Sequence, residues 1–249
     1  MTVEAYPQYP INLRLNGVQC LVVGGGEVAA RKARGLLECG AYVTVVAPTI
    51  VDELRTDERV RWHQRDYRRG EVASYRVAIT ATGRPEVDAQ VFEDAKATGI
   101  PINAADDPAH CTFTLPAVLR RGDLQIAIST NGRSPAFATW LKKTLATQIT
   151  ADALDTFDLV GDVRRELRRA GRPTEHPGWQ RAFDDGLVDL VAKGEHDEAR
   201  ALLLHHLEAT DLLVAGPTSP GLTLAESTQT ELLVDVSGDD VASLEAKFS

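Results

Sequence analysis

Residues 18–23, Val-Gln-Cys-Leu-Val-Val, form an apolar run that ends on three glycines and passes directly into a stretch with apolar positions at helical spacing, through Leu36 and Leu37 to Gly40. A run of this kind predicts a buried strand, and the spacing that follows predicts a helix with a glycine stop. The alternation then repeats. Residues 42–46 and 75–82 read as further strands, 60–63 as a shorter one, 85–98 as a helix ended by Gly99, and 100–105 as another strand. Strands alternating with helices predict an α/β fold built on a Rossmann-type parallel sheet, with ligands beyond the carboxyl ends of its strands.

After Cys111 the pattern changes. Two extended runs, 112–119 and 124–130, flank the polar turn Arg120-Arg121-Gly122-Asp123 and predict an antiparallel hairpin. The turn Asn131-Gly132-Arg133-Ser134 leads to Pro135, with Ser134 placed to cap a helix that carries Trp140, Leu141 and Leu145. Residues 152–208 read as helical, with breaks at 171–173 and 176–178 and with Leu187, Leu190 and Val191 at helical spacing. From residue 215 the chain is rich in turn formers and acidic residues; 232–236 reads as an edge strand or a loosely held terminus, and no function is assigned to it. These shifts divide the chain into a Rossmann domain (1–111), a hairpin-plus-helix module (112–150), a small helical domain (151–210) and a tail (211–249).

The turn at 24–29 carries the first chemistry. Gly24 and Gly26 take the first two places of G-x-G-x-x-G/A and Ala29 the third, a spacing that lets backbone approach a pyrophosphate at a helix N-terminus. Thr80, Ala81, Thr82, Asn103 and Asp106 fall at the ends of later strands, where such a ligand lies. The strand at 42–46 departs from the usual rule. It runs into Ala47-Pro48-Thr49, with no acid to grip a ribose hydroxyl and no well-placed arginine to favour a 2′-phosphate.

Composition narrows the classes. The chain is 43% hydrophobic and 25% charged, with no apolar run long enough to cross a bilayer, and its first residues lack a basic region and apolar core. The expectation is a cytoplasmic protein without a membrane partner. A formal charge of −9 argues against nucleic acid as a partner. Cys20, Cys39 and Cys111 are too few and too scattered for a disulfide framework or zinc knuckle. Asp106, His110 and Cys111 form a loosely spaced trio that does not suit a metal site.

In this order the landmarks Tyr9-Pro10-Ile11-Asn12-Leu13, Val23-Gly24-Gly25-Gly26-Glu27-Val28-Ala29-Ala30-Arg31-Lys32-Ala33, Asn103-Ala104-Ala105-Asp106-Asp107-Pro108 and Ser129-Thr130-Asn131-Gly132-Arg133-Ser134-Pro135 are similar to those of a known family. Over about residues 9–205 the chain resembles the precorrin-2 dehydrogenases and sirohydrochlorin ferrochelatases of sirohaem synthesis. The resemblance implies an NAD-binding Rossmann domain, with Gly24, Gly25, Gly26, Glu27, Val28, Pro48 and Thr49 lining the cofactor and Thr80, Ala81, Thr82 and Asn103 beside it. It implies Asp106 as general base and Arg120, Thr130, Asn131 and Arg133 toward a polycarboxylate tetrapyrrole. It further implies a homodimer whose sites draw on both chains, with residues 112–150 as the dimerisation module. The activity implied is NAD-dependent oxidation of precorrin-2 to sirohydrochlorin, for sirohaem or cobalamin. Two alternatives stay open: a bifunctional enzyme that also inserts Fe²⁺, as substrate, into sirohydrochlorin, and a non-catalytic module that senses dinucleotide or tetrapyrrole.

Overall fold

The computed structural model describes residues 7–214, so the tail and its 232–236 segment lie outside the described residues. Five strands, β1 (Gln19–Val23), β2 (Tyr42–Ala47), β3 (Val60–Gln64), β4 (Val77–Thr80) and β5 (Ile102–Ala104), make a parallel sheet in the order β3-β2-β1-β4-β5. The chain adds β2 and β3 on one side of β1 and then β4 and β5 on the other, which makes the carboxyl ends of β1 and β4 the switch point where α/β sheets bind ligands.

Alternation along each strand sorts the core into two layers. Cys20 and Val22 of β1, with Val43 and Val45 of β2, face helix α1 (Glu27–Glu38) and the short α2 (Asp52–Thr56) through Ala29, Ala33, Leu37 and Leu54. Leu21 and Val23 point the other way, with Ala78 and Ile102, onto Val91 and Ala95 of α3 (Pro85–Thr98). Both faces of the sheet are thus covered, which is why β1, β2, β4 and β5 are largely apolar, whereas the edge strand β3 carries Arg61, His63 and Gln64. The predicted strand at 75–82 shortens to β4, and Ala81 and Thr82 become loop. The sequence pattern missed α2, whose five residues are too few to show a helical period.

Register aligns the strand ends. Val46 pairs with Val23, Val23 with Thr80 and Thr80 with Ala104, so Ala47, Gly24, Ala81 and Ala105 follow as one row along the carboxyl edge. Asp106 comes one residue beyond that row.

Strands β6 (Ala117–Arg121) and β7 (Leu124–Ile128) form an antiparallel pair of their own, packed by α4 (Pro135–Gln148). The side chain of Ser134 caps α4, accepting from Phe137 N at 3.2 Å. Arg120 of β6 ties the hairpin to the end of α1 by an ion pair with Glu38. Helix α5 (Ala151–Arg169) follows, and the chain divides into two compact units within it, between Asp162 and Val163. In the second unit, α6 (Gly178–Asp184), α7 (Leu187–Ala192) and α8 (His196–Val214) pack through Ala182, Leu187, Val191, Leu203 and Leu207. Among the described residues no helix is long and apolar enough to cross a membrane.

Candidate dinucleotide and substrate site

A cleft of about 560 Å³ opens at the carboxyl edge over β1, β2 and β4. Three consecutive glycines build its floor, and each for a different reason. Gly24 has φ +116°, and a Cβ there would stand 2.3 Å from the carbonyl oxygen of Ala81. Its N–H donates to Val46 O at 3.0 Å, which locks the turn across the sheet. A Cβ on Gly25 would meet Thr49 O at 2.0 Å. At Gly26 the space is open: apart from its chain neighbours, no described residue lies within 4 Å of where its Cβ would be.

Gly26 is also the N-cap of α1, and no side chain caps that helix. The first turn of α1 therefore presents uncapped N–H groups, at the positive end of the helix dipole, to an open space above an exposed glycine. Ala29, fully buried, packs the helix on the sheet. These are the requirements of a bound pyrophosphate, so the residues present fit a dinucleotide.

Of the other residues expected at the cofactor, Glu27, Val28, Pro48, Thr49, Ala81 and Thr82 line this cleft. Thr80 and Asn103 do not. Thr80 is fully buried and its hydroxyl donates to Asp88, which also accepts from Thr82 Oγ1 at 2.8 Å. Asp88, a buried carboxylate in the first turn of α3, thus holds the end of β4 against the glycine turn. Asn103 is buried too, and its Nδ2 donates to Phe113 O at 3.0 Å, fixing the segment after β5. Both act from beneath the site.

Asp106 sits at the edge with its side chain exposed and with no hydrogen bond or ion pair among the described residues. Its backbone is left-handed, φ +61°, and the other non-glycine residue with positive φ among the described residues is Asn131, at φ +51°. Asp and Asn tolerate this region better than other side chains, and residues held there cluster at functional sites. Two strand spacings separate β1 from β5, so Asp106 lies about 10 Å along the rim from the phosphate cradle.

Lys32, within the landmark at 23–33 but given no role there, faces the same corner. Burial lowers its ammonium, Arg31 lowers it further, and Asp106 and Cys111 oppose them. The neighbours of Asp106 are otherwise engaged. His110 pairs with Asp107 at 2.6 Å, holding that carboxyl below the usual range, and packs edge-on against Phe92. Cys111 Sγ donates to Ala104 O at 3.3 Å, and burial pushes the thiol up. No three His, Cys, Asp or Glu side chains come together as a metal site among the described residues.

The residues expected at the tetrapyrrole lie apart from this cleft. Thr130, Asn131 and Arg133 share the turn before α4, where Thr130 Oγ1 accepts from Ser134 N at 3.1 Å. Arg120 is held by Glu38 and by Gln125 at 3.0 Å.

Sequence reading gave no role to Asp66, Tyr67 or Arg84, which close the cleft on the side of β3 and α3. The loop carrying the first two is braced: Arg65 pairs with Glu71 at 2.6 Å, and Tyr67 donates to Asp94 at 3.0 Å. Burial pushes the Glu71 carboxyl up, but hydrogen bonds from Arg65 and from Arg68 N–H outweigh it and hold it below its ordinary 4.5. A carboxyl depressed on folding stabilises the fold above its unfolded pKa and loses that contribution as pH falls through the folded one. Calorimetric midpoints are expected to fall on acidification from about pH 4.5 toward pH 3, and to fall less in Glu71→Gln, which starts lower at neutral pH.

The sheet order, the glycine cradle and the rim define a Rossmann-type dinucleotide-binding protein. Residues 11–117 match the family model described as NAD(P)-binding, and residues 121–148 match the sirohaem biosynthesis protein central model. The two matched regions follow one another along the chain. It is 32% identical over 238 residues to the siroheme synthase of Photorhabdus laumondii, covering 91% of this chain and 51% of that protein. With the siroheme synthase of Hydrogenovibrio crunogenus it shares 34% over 236 residues, 86% of this chain and 49% of the relative. The chain spans about half the length of the curated relatives it matches. Among solved structures, SirC, precorrin-2 dehydrogenase, shares the fold with TM-score 0.57 at 23% identity, over 82% of this chain and all of that one.

Proposed function

We propose that this chain oxidises precorrin-2 to sirohydrochlorin with NAD⁺. One observation carries the reading: an open pyrophosphate cradle at Gly26 and an exposed carboxylate at Asp106, with no hydrogen bond or ion pair among the described residues, stand on one rim. Bound NAD⁺ supplies a hydride acceptor. The first turn of α1 would hold its pyrophosphate, Pro48 and Thr49 would line the adenosine, and the nicotinamide would then lie on the side of β4 and β5, the side of Asp106. The oxidation removes a hydride and a proton from the macrocycle, and Asp106 accepts the proton. The names of the relatives support this reaction and sirohaem as its end.

Asp106 also supports a second reading. An exposed carboxylate that accepts one proton from the ring edge can accept the N–H protons displaced when Fe²⁺ enters sirohydrochlorin as substrate. Mixing precorrin-2 with NAD⁺ under anaerobic conditions is expected to produce NADH absorbance in proportion to the chain; its absence, with NAD⁺ bound, would leave a sensing module. Sirohydrochlorin and Fe²⁺ without NAD⁺ test the second activity against the spontaneous rate.

The working form is a homodimer built on residues 112–150. A two-stranded hairpin is marginal alone, and α4 buries only Ala138 while Phe137 and Trp140 stand 51% and 56% exposed. Covering these faces with a second copy supplies the missing packing and brings the turn at 130–133 of one chain toward the rim of the other. Sedimentation is expected to give a dimer, and Trp140→Glu to shift it to monomer; a monomeric parent contradicts this arrangement.

A further inference from the structure

We infer that Asp66 and Arg84, an ion pair in the lining of the cleft on the side of β3, select NAD over NADP. The inference rests on the dinucleotide reading above and adds the residues that choose the nucleotide. In sheets of this type an acid at the end of the second strand holds the ribose hydroxyls. Here β2 ends in Ala47, Pro48 and Thr49, with no charge. The charged side chains lining the cleft are Glu27, at the phosphate end, and Asp66 and Arg84.

Asp66 follows β3, the neighbour of β2, and Arg84 precedes α3. Arg84 Nη2 donates to Asp66 Oδ1 at 2.6 Å. The carboxylate absent from β2 is thus supplied from the next strand. It repels a 2′-phosphate and offers its second oxygen to a ribose hydroxyl. A free arginine fork would do the opposite, binding a 2′-phosphate, but Asp66 occupies it.

Stability does not account for the pair. The Arg84 and Asp66 side chains are 48% and 64% exposed, and exposed ion pairs contribute little to folding. Nor does α3 need the guanidinium: Arg84 N donates to Thr82 Oγ1 at 3.0 Å through its backbone. Both side chains can therefore be changed without loss of the fold.

Calorimetric titration of the full chain with NAD⁺ and NADP⁺ separately tests the assignment without turnover. The parent is expected to prefer NAD⁺. Asp66→Asn removes the repulsion and releases Arg84, so the ratio of the NADP⁺ to the NAD⁺ dissociation constant is expected to fall about tenfold. Arg84→Gln leaves the carboxylate unopposed, and the ratio is expected to rise. A ratio within about twofold of the parent in both variants overturns the assignment and leaves the dinucleotide site standing. A parent that binds neither nucleotide overturns the site and the assignment together.

Discussion

Gly24→Val is expected to leave little folded protein, whereas Gly26→Val is expected to melt near the parent and to bind NAD⁺ at least about a hundredfold more weakly. The two positions look alike in the motif and differ in the structure. At Gly24 the new side chain meets the backbone of Ala81, at φ +116°, and neither β1 nor β4 can move without breaking the sheet. Steric overlap with backbone and a forbidden φ together cost about 4 kcal/mol or more, close to the whole stability of an ordinary domain. At Gly26 the backbone is extended, φ −83°, and the added atoms enter open space. That space is the one a pyrophosphate fills, so the fold loses about 1 kcal/mol of capping while the ligand loses its seat. Thermal melts with NAD⁺ titration separate the two effects. Parental affinity in Gly26→Val would remove the cradle from the account.

Asp106→Asn is expected to lower the rate of NADH formation by about 10²–10⁴-fold while leaving NAD⁺ affinity and the melting temperature near the parent's. Asparagine is the informative substitution. It keeps the shape and tolerates the left-handed backbone, so the change removes proton-accepting ability and little else. Alanine at φ +61° would add strain and blur the result. Because Asp106 has no hydrogen bond or ion pair among the described residues, no local network collapses when its charge is removed. Parental turnover in Asp106→Asn would assign the proton to another group, with Lys32 the first to examine.

The α/β fold was legible because it is written locally. Apolar runs on both sides of each helix stretch, Gly40 and Gly99 at the helix ends, and the cap Ser134 before Pro135 each act within a few residues. The glycine cradle is legible for the same reason, although the spacing credits Gly24 and Gly26, while the need for glycine at Gly25 comes from the close approach of Thr49, far along the chain. What escaped depends on residues far apart in the chain. Asp66 reads as one more acid in a loop until β3 and α3 bring it to Arg84. Asp88 reads as a polar residue in a helix until its carboxylate meets Thr80 and Thr82. Thr80 does end β4 and Asn103 lies one residue inside the end of β5, but which way a side chain turns there is set by its partners, and theirs lie inward.

A crystal structure of the chain with NAD⁺ tests the central claim most directly. The account predicts pyrophosphate oxygens within hydrogen-bonding distance of the N–H groups of Gly26, Glu27 and Val28, the adenosine beside Pro48, and the nicotinamide over the ends of β4 and β5 next to Asp106. A dinucleotide seated away from the first turn of α1, or one with its nicotinamide turned toward Thr49, would contradict it.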